Sequence, residues 1–494
     1  MSDNKILVGG EWKLGTGKLI RSINPANGDL ITEFKGASLE DVDIAVAAGK
    51  RAMYDPTWYD LKPHKRAAIL SNIARLIRRD VETLAALQTL DTGKCLSETK
   101  ALVQSAADTF QYTAAALEIQ EGELPPSRGD YFTMSVYEPM GVIAAITPWN
   151  SPIASDAQKL APALAAGNAV ILKPAEWTSL VSLALAKICL EAGLPKGLLS
   201  VLPGSGSVIG DKLVRHPDVK KISFTGGTST GRHIAGIAAD KLMPVSLELG
   251  GKSPTIVFED ADVEHAINGI LYGIFSSTGQ SCIAGSRLFI AAKIYDSFVN
   301  KLIARCKALN VGLPNDSSTQ VAPLISFKHR DVVANYVEIA KKEGAKVLCG
   351  GELLQGHPYD DGAFYPPTIL SGLSNNTQTC QEEIFGPVLV VLPFENEQDL
   401  IQQANDSVFG LACGLWTQDY KKALNFSQKI AAGTVWINTY KQFSIATQFG
   451  GVKESGLGRE KGRNSILGYM QQKSLYWGLN EGPLSWADPR SKEY

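Results

Sequence analysis

The chain has 494 residues, with 48 Lys plus Arg against 50 Asp plus Glu and a formal net charge of −2. At about 150 residues per domain this length holds about three domains or two large ones, and 45% hydrophobic with 20% charged residues excludes a mainly disordered chain. The balanced charge leaves no surplus of cations for a phosphate backbone, so nucleic acid is excluded as a main partner.

Seven cysteines (Cys95, Cys189, Cys282, Cys306, Cys349, Cys380, Cys413) are scattered and never spaced as CxxC, which points to a reducing compartment. The N-terminal residues lack the basic start and apolar run of a signal peptide. The longest weakly polar stretch, Ala161 to Leu172, is too short to span a bilayer. These features predict a cytoplasmic protein with no membrane partner. The six histidines show no metal-ligand spacing, so no metal site is expected.

In chain order, the first strong pattern runs from about His64 to Gln88. There Ile69, Leu70, Ile73, Leu76, Ile77, Leu84 and Leu87 recur at helical spacing, with Arg75, Arg78, Arg79 and Asp80 between them. It predicts one amphipathic helix with a solvated basic face. Residues 130–137 alternate as a strand does. From Gly141 to Gly251 five short apolar runs predict strands at Val142–Ile146, Ala169–Leu172, Leu199–Leu202, Lys221–Phe224 and Val245–Leu249. Helical patterns follow the first four, with predicted caps at Ser155, at Thr178 or Ser179, at Ser205 or Ser207, and at Thr228 or Ser229. This alternation implies an α/β fold around a mostly parallel sheet covered on both faces.

In such sheets ligands sit at the carboxyl ends of the strands. Each predicted strand delivers an unusual peptide there: Thr-Pro-Trp-Asn at 147–150, Lys-Pro-Ala-Glu at 173–176, Pro-Gly-Ser-Gly at 203–206, Thr-Gly-Gly-Thr at 225–228 and Glu-Leu-Gly-Gly-Lys at 248–252. Gly204 and Gly206, with Gly226, Gly227 and Gly231, would leave backbone N–H groups free to approach a phosphate, although neither set is specific by itself. The GxGxxG dinucleotide turn is missing after the first strand. Glu176 and Lys173 are placed to bond a ribose, and a carboxylate there repels a 2′-phosphate, favouring NAD over NADP as the weaker alternative. Cys282 lies in a stretch of small residues (277–287) whose glycines would let a thiolate and an N–H address one carbonyl.

Taken together, these motifs resemble the aldehyde dehydrogenase superfamily in its non-acylating, hydrolytic branch. The resemblance runs from Val-Gly-Gly-Glu-Trp (8–12) and Asn-Pro-Ala-Asn-Gly (24–28) to Gly-Gln-Ser-Cys (279–282), Glu-Glu-Ile-Phe-Gly-Pro-Val (382–388) and residues 449–460. It implies a Rossmann-type cofactor domain (1–120 and 139–248) and a second α/β catalytic domain (249–455). A small β oligomerisation element (121–138 with the tail 456–494) would join subunits into homodimers or homotetramers.

The same resemblance implies that Cys282 is the nucleophile, Asn150 an oxyanion donor, and Glu248 the base that activates water against a thioester. Glu383 would bond the nicotinamide ribose, and Thr147, Trp149, Lys173, Glu176, Gly206, Gly226, Thr228, Leu249 and Phe385 would complete the NAD site. Lys159 matches a family lysine near the site, without an assigned role. Ser151, Ser155, Asp156, Gln158, Ser276, Ser277, Phe443 and Phe449, with Trp149, match the substrate funnel. The Ser, Asp and Gln among them predict a polar tunnel for a functionalised aldehyde. No Arg stands among these positions, which disfavours a carboxylate-bearing semialdehyde, and the few aromatics disfavour a box for a quaternary ammonium aldehyde. Rival readings are a CoA-acylating dehydrogenase, a fold that has lost turnover, and a cofactor-free thiol hydrolase.

Overall fold

A computed structural model describes residues 4–479 and Trp486. Five parallel strands form the heart of the first sheet, in the spatial order Leu199–Val201, Ala169–Lys173, Val142–Ile146, Val219–Thr225, Val245–Glu248. The chain starts in the middle, winds outward on one side, then crosses and winds outward on the other. The crevice where the direction reverses lies between Val142–Ile146 and Val219–Thr225. All five lie where the sequence predicts them, because strands covered on both faces must be continuously apolar. Every residue of Val142–Ile146 and Ala169–Lys173 is buried.

The helix starts follow the expected caps at Ser179 and Ser205. Ser155 is not a cap: the helix Pro152–Ala165 begins four residues earlier behind Ser151, because Pro152 is pre-set for a first helical position. Thr228 opens the helix Thr228–Asp240, and Gly227 is its cap. The single helix expected over 64–88 is two, Pro63–Arg79 and Val81–Thr92, broken at Asp80. The second stops at Gly93, in the left-handed conformation with φ +73°.

Lys5–Val8 and Glu11–Leu14 extend the first sheet antiparallel at one edge, and Gly456–Leu457 closes the other against Val245–Glu248. Ile466 and Tyr469 are buried in the core around this sheet. The segment 456–469 therefore belongs with the first sheet and not with the expected oligomerisation element. Among the described residues of the tail, Met470–Gly478 pairs with Tyr131–Pro139 as an antiparallel ribbon.

The second sheet runs Lys346–Cys349, Thr368–Ser371, Val388–Phe394, Arg287–Ala291, Pro254–Val257, Ala412–Trp416, Thr434–Ile437, parallel except for the first strand. Apolar cores cover both its faces. Five residues, 249–253, join the strand ending at Glu248 to the strand starting at Pro254. No helix among the described residues is long and apolar enough to cross a membrane.

Candidate active site

A cleft of about 950 Å³ opens at the carboxyl ends of the first sheet's strands, at the reversal point. Its wall brings together Thr147, Trp149, Asn150, Lys173, Glu176, Gly206, Gly226, Glu248, Leu249, Cys282, Glu383 and Phe385. Thr228 stands behind the wall, where its Oγ1 accepts from the Gly250 N–H at 3.3 Å.

The strand ends position this wall. Lys173, the last residue of its strand, donates from Nζ to the Pro174 carbonyl at 3.0 Å, and burial pulls its ammonium down to about 8 against the pull of Glu176. Gly226 departs from the expected role: its N–H is taken by the Glu248 carbonyl at 3.0 Å. What it supplies is space, since a Cβ there would stand 2.6 Å from the Phe224 ring. Gly231 likewise lets its helix approach Leu249, whose Cδ2 would be 2.4 Å from an added Cβ. Trp149 meets Phe385 and His329 edge-on, with centroids 5.2 and 5.6 Å away, and His329 Nε2 lies 2.8 Å from the Phe385 carbonyl. His329 and Trp177 had no role in the sequence reading, because nothing local marks them.

Cys282 follows a tight turn in which Ser277 and Thr278 both have positive φ, 56° and 54°. Such conformations cost roughly 1–3 kcal/mol each and persist where the surroundings fix them. Here the Ser277 N–H donates to Glu98 Oε1 at 2.6 Å, Thr278 Oγ1 to the Ala322 carbonyl at 2.7 Å, and the Ile325 N–H to Gln280 Oε1 at 2.9 Å. Asn150 Nδ2 donates to the Gln280 carbonyl at 2.9 Å, two residues before the thiol. Burial, with Glu383 and Glu248 adding negative charge, pushes the Cys282 thiol up to about 12.

Glu248 ends its strand with 5% exposure, and its Oε2 has no hydrogen-bond partner among the described residues. Burial first, then the charge of Glu460, raise its carboxyl well above the usual range, while Lys159 opposes them. Glu460 pairs with Lys159 in a buried cluster that includes Ser223 and Tyr469. The sequence reading quoted Glu460 inside a motif without giving it a role. Glu383 accepts from the Gly251 N–H at 3.2 Å, and burial pushes it up to about 7.

Of the nine positions matched to the funnel, Trp149 lines this cleft and the other eight do not. Ser151 and Ser155 hydroxyls meet at 2.9 Å, and Gln158 is half-buried on the same helix. Asp156 is corrected outright: it is fully buried and accepts from Ser182 Oγ at 2.6 Å, turned into the helix-packing core. Ser276 accepts from Lys441 Nζ at 2.7 Å, Ser277 is held by Glu98, and the Phe443 and Phe449 rings meet edge-on at 5.5 Å.

A reversed-winding parallel sheet whose nucleotide-sized cleft is lined by a thiol, two buried carboxylates and an amide donor defines an α/β enzyme of thiol chemistry. The chain belongs to the aldehyde dehydrogenase family, whose model matches residues 12–475. It is 41% identical over 483 residues to a betaine aldehyde dehydrogenase of Bacillus subtilis (strain 168), covering 97% of this chain and 99% of that protein. An aldehyde dehydrogenase of Bacillus cereus solved as its NAD+ complex superposes with TM-score 0.94 at 39% identity, with 96% of each chain covered. A betaine aldehyde dehydrogenase of Staphylococcus aureus, also with NAD+, gives TM-score 0.96 at 37% identity, covering 98% of this chain and 97% of that one. The family and fold expected from the sequence are thereby borne out.

Proposed function

We propose that Cys282, Asn150, Glu248 and Glu383 carry the oxidation of a polar aldehyde to its carboxylic acid with reduction of NAD+. The class, an NAD-dependent aldehyde dehydrogenase, follows from the family. The assignment of residues rests on one observation: the four side chains line one nucleotide-sized cleft. That cleft fits the cofactor. Lys173 and Glu176 offer a donor and an acceptor to a ribose, Gly206 and Gly227 leave open space where a Cβ would meet nothing within 4 Å, and Glu383 is fixed for a second ribose by the Gly251 N–H. Glu176 repels a 2′-phosphate, which favours NAD over NADP.

As its S–H proton leaves to solvent, Cys282 supplies the sulfur that attacks the aldehyde carbon, and the Asn150 amide with the Cys282 N–H stabilises the oxyanion. NAD+, when bound, accepts the hydride lost as the adduct becomes a thioester. Glu248 then takes a proton from the water that attacks the thioester, a task suited to a carboxyl whose proton affinity burial has raised. This leaves the acid and the free thiol.

The two sheets correspond to a cofactor domain and a catalytic domain. The ribbon of Tyr131–Pro139 and Met470–Gly478 is the subunit-joining element, supported by exposed Tyr476 and Trp477 at 70% and 71% exposure. Free thiols at all seven cysteines support a cytoplasmic location. The test is NADH formation across aliphatic, hydroxylated, amino and carboxylated aldehydes, with Cys282→Ala as control. Turnover lost in the variant with NAD+ binding kept supports the assignment, and turnover retained in it refutes the thiol mechanism.

A further inference from the structure

Two lysines outside every predicted site set flank the Cys282 loop: Tyr440, next to Lys441, donates to the Ile283 carbonyl at 3.0 Å, and Phe449, under Lys461, packs on the same core as Cys282. Lys461 Nζ lies 4.2 Å from the Phe443 ring centroid and 5.4 Å from that of Phe449. Lys441 Nζ donates to Ser276 Oγ at 2.7 Å and lies 6.0 Å from the Tyr272 ring. Both act electrostatically on the Cys282 thiol. Neither makes a salt bridge among the described residues. Burial weakens both ammonium groups, Lys441 to about 7. The other charges facing them are also accounted for. Glu98, which holds the Ser277 N–H, acts on Lys441 against a further buried cation, Lys94. Glu460 and Glu248 act on Lys461, but Glu460 is paired with Lys159.

A half-buried ammonium with no salt-bridge partner is partly desolvated and is stabilised by any anion that reaches it. We propose that Lys441 and Lys461 form an anion subsite beside Cys282, selecting aldehydes that carry a carboxylate at the end remote from the reacting carbon. This deepens, and rests on, the aldehyde-oxidising reading above. It reverses the expectation drawn from the missing Arg, since the cations are lysines at positions outside the predicted funnel. It also separates this chain from a quaternary ammonium substrate. The Phe443 and Phe449 faces that could hold a trimethylammonium already hold an ammonium, and a second cation there meets like charge.

The test compares kcat/KM for succinic, glutaric and adipic semialdehydes with butanal, pentanal and hexanal, and with betaine aldehyde, in the wild type and in Lys461→Met, Lys441→Met and Lys461→Arg. The best semialdehyde should exceed its equal-length alkanal by about tenfold or more, the scale of one charge-assisted contact, mainly through KM. Betaine aldehyde should rank last. The semialdehyde-to-alkanal ratio should fall toward unity in either Met variant and be kept in Lys461→Arg, with circular dichroism checking that each variant is folded. Alkanal oxidation with no carboxylate preference, or a preference that both Met variants retain, overturns the subsite alone. Absence of NADH with every aldehyde overturns the dehydrogenase reading and the subsite with it.

Discussion

Gly250 and Gly251 offer a pair of perturbations one residue apart with different targets. A Cβ on Gly251 would stand 2.3 Å from the Cys282 backbone carbonyl oxygen, about 1 Å short of ordinary contact. Backbone cannot swing aside as a side chain does, so Gly251→Ala must displace the nucleophile by about that amount, and a misplacement of ~1 Å costs roughly 100-fold in rate. A Cβ on Gly250 would instead meet Glu383 Oε2 at 2.3 Å, the mobile end of a side chain. Gly250→Ala should therefore turn the carboxylate away and raise the NAD+ KM while leaving the thiol in place. The assay pairs steady-state NADH formation with the rate of Cys282 alkylation by iodoacetamide, read by mass spectrometry. Gly251→Ala should lower kcat about 100-fold and alter the alkylation rate, whereas Gly250→Ala should leave that rate at the wild-type value. A Gly251→Ala enzyme within about twofold of wild-type kcat would refute the argument that this glycine sets the nucleophile's position.

Glu248→Gln should acylate but hydrolyse slowly, giving one NADH per site in a burst followed by turnover reduced about 10²- to 10⁴-fold, seen by stopped-flow absorbance. Because burial pushes Glu383 up to about 7 and raises Glu248 as well, both are protonated and inactive on the acid side. kcat/KM should accordingly fall as pH drops below about 7, and Glu383→Gln should alter that acid limb. Lys159→Met leaves Glu460 buried without its partner, which should cost about 3–5 kcal/mol in urea unfolding, and Lys159→Met with Glu460→Met should recover most of it.

The five central strands were legible because double-sided burial forces continuous apolar runs, and their terminal peptides were legible because strand ends must carry the ligand-facing residues. The break at Asp80 was hidden because apolar spacing continues through it into Val81–Thr92. Asp156 was misplaced for a rotational reason: one residue turns the helix by about 100°, which carries its carboxyl from the Ser155 side into the core beside Ser182. Lys441 and Lys461 could not be recognised locally at all. What distinguishes them is their partners, Ser276 for one and two phenylalanine faces for the other, and only the fold brings those together.

The short connection 249–253 explains how one site can be assembled from two separate sheets. It leaves the first sheet at Glu248, puts Gly250 against Glu383 and Gly251 against Cys282, and enters the second sheet at Pro254. Ser455, fully buried, clamps it: the Ser455 carbonyl accepts from the Leu249 N–H at 2.9 Å, and its hydroxyl donates to the Gly250 carbonyl at 2.7 Å while accepting from the Gly410 N–H at 2.9 Å. From the second sheet, Arg287 Nε donates to the Lys252 carbonyl at 3.0 Å. Ser455→Ala leaves the backbone clamp intact but strands a buried donor and a buried acceptor, at a cost of about 1–3 kcal/mol each. Urea unfolding should register that loss. Because the freed Gly250 carbonyl shares its peptide group with the Gly251 N–H that holds Glu383, the NAD+ KM should rise more than the KM for aldehyde. A Ser455→Ala enzyme with unchanged stability, or one in which only the aldehyde KM moves, would show that the connection is held in place by the sheets on either side of it and not by this hydroxyl.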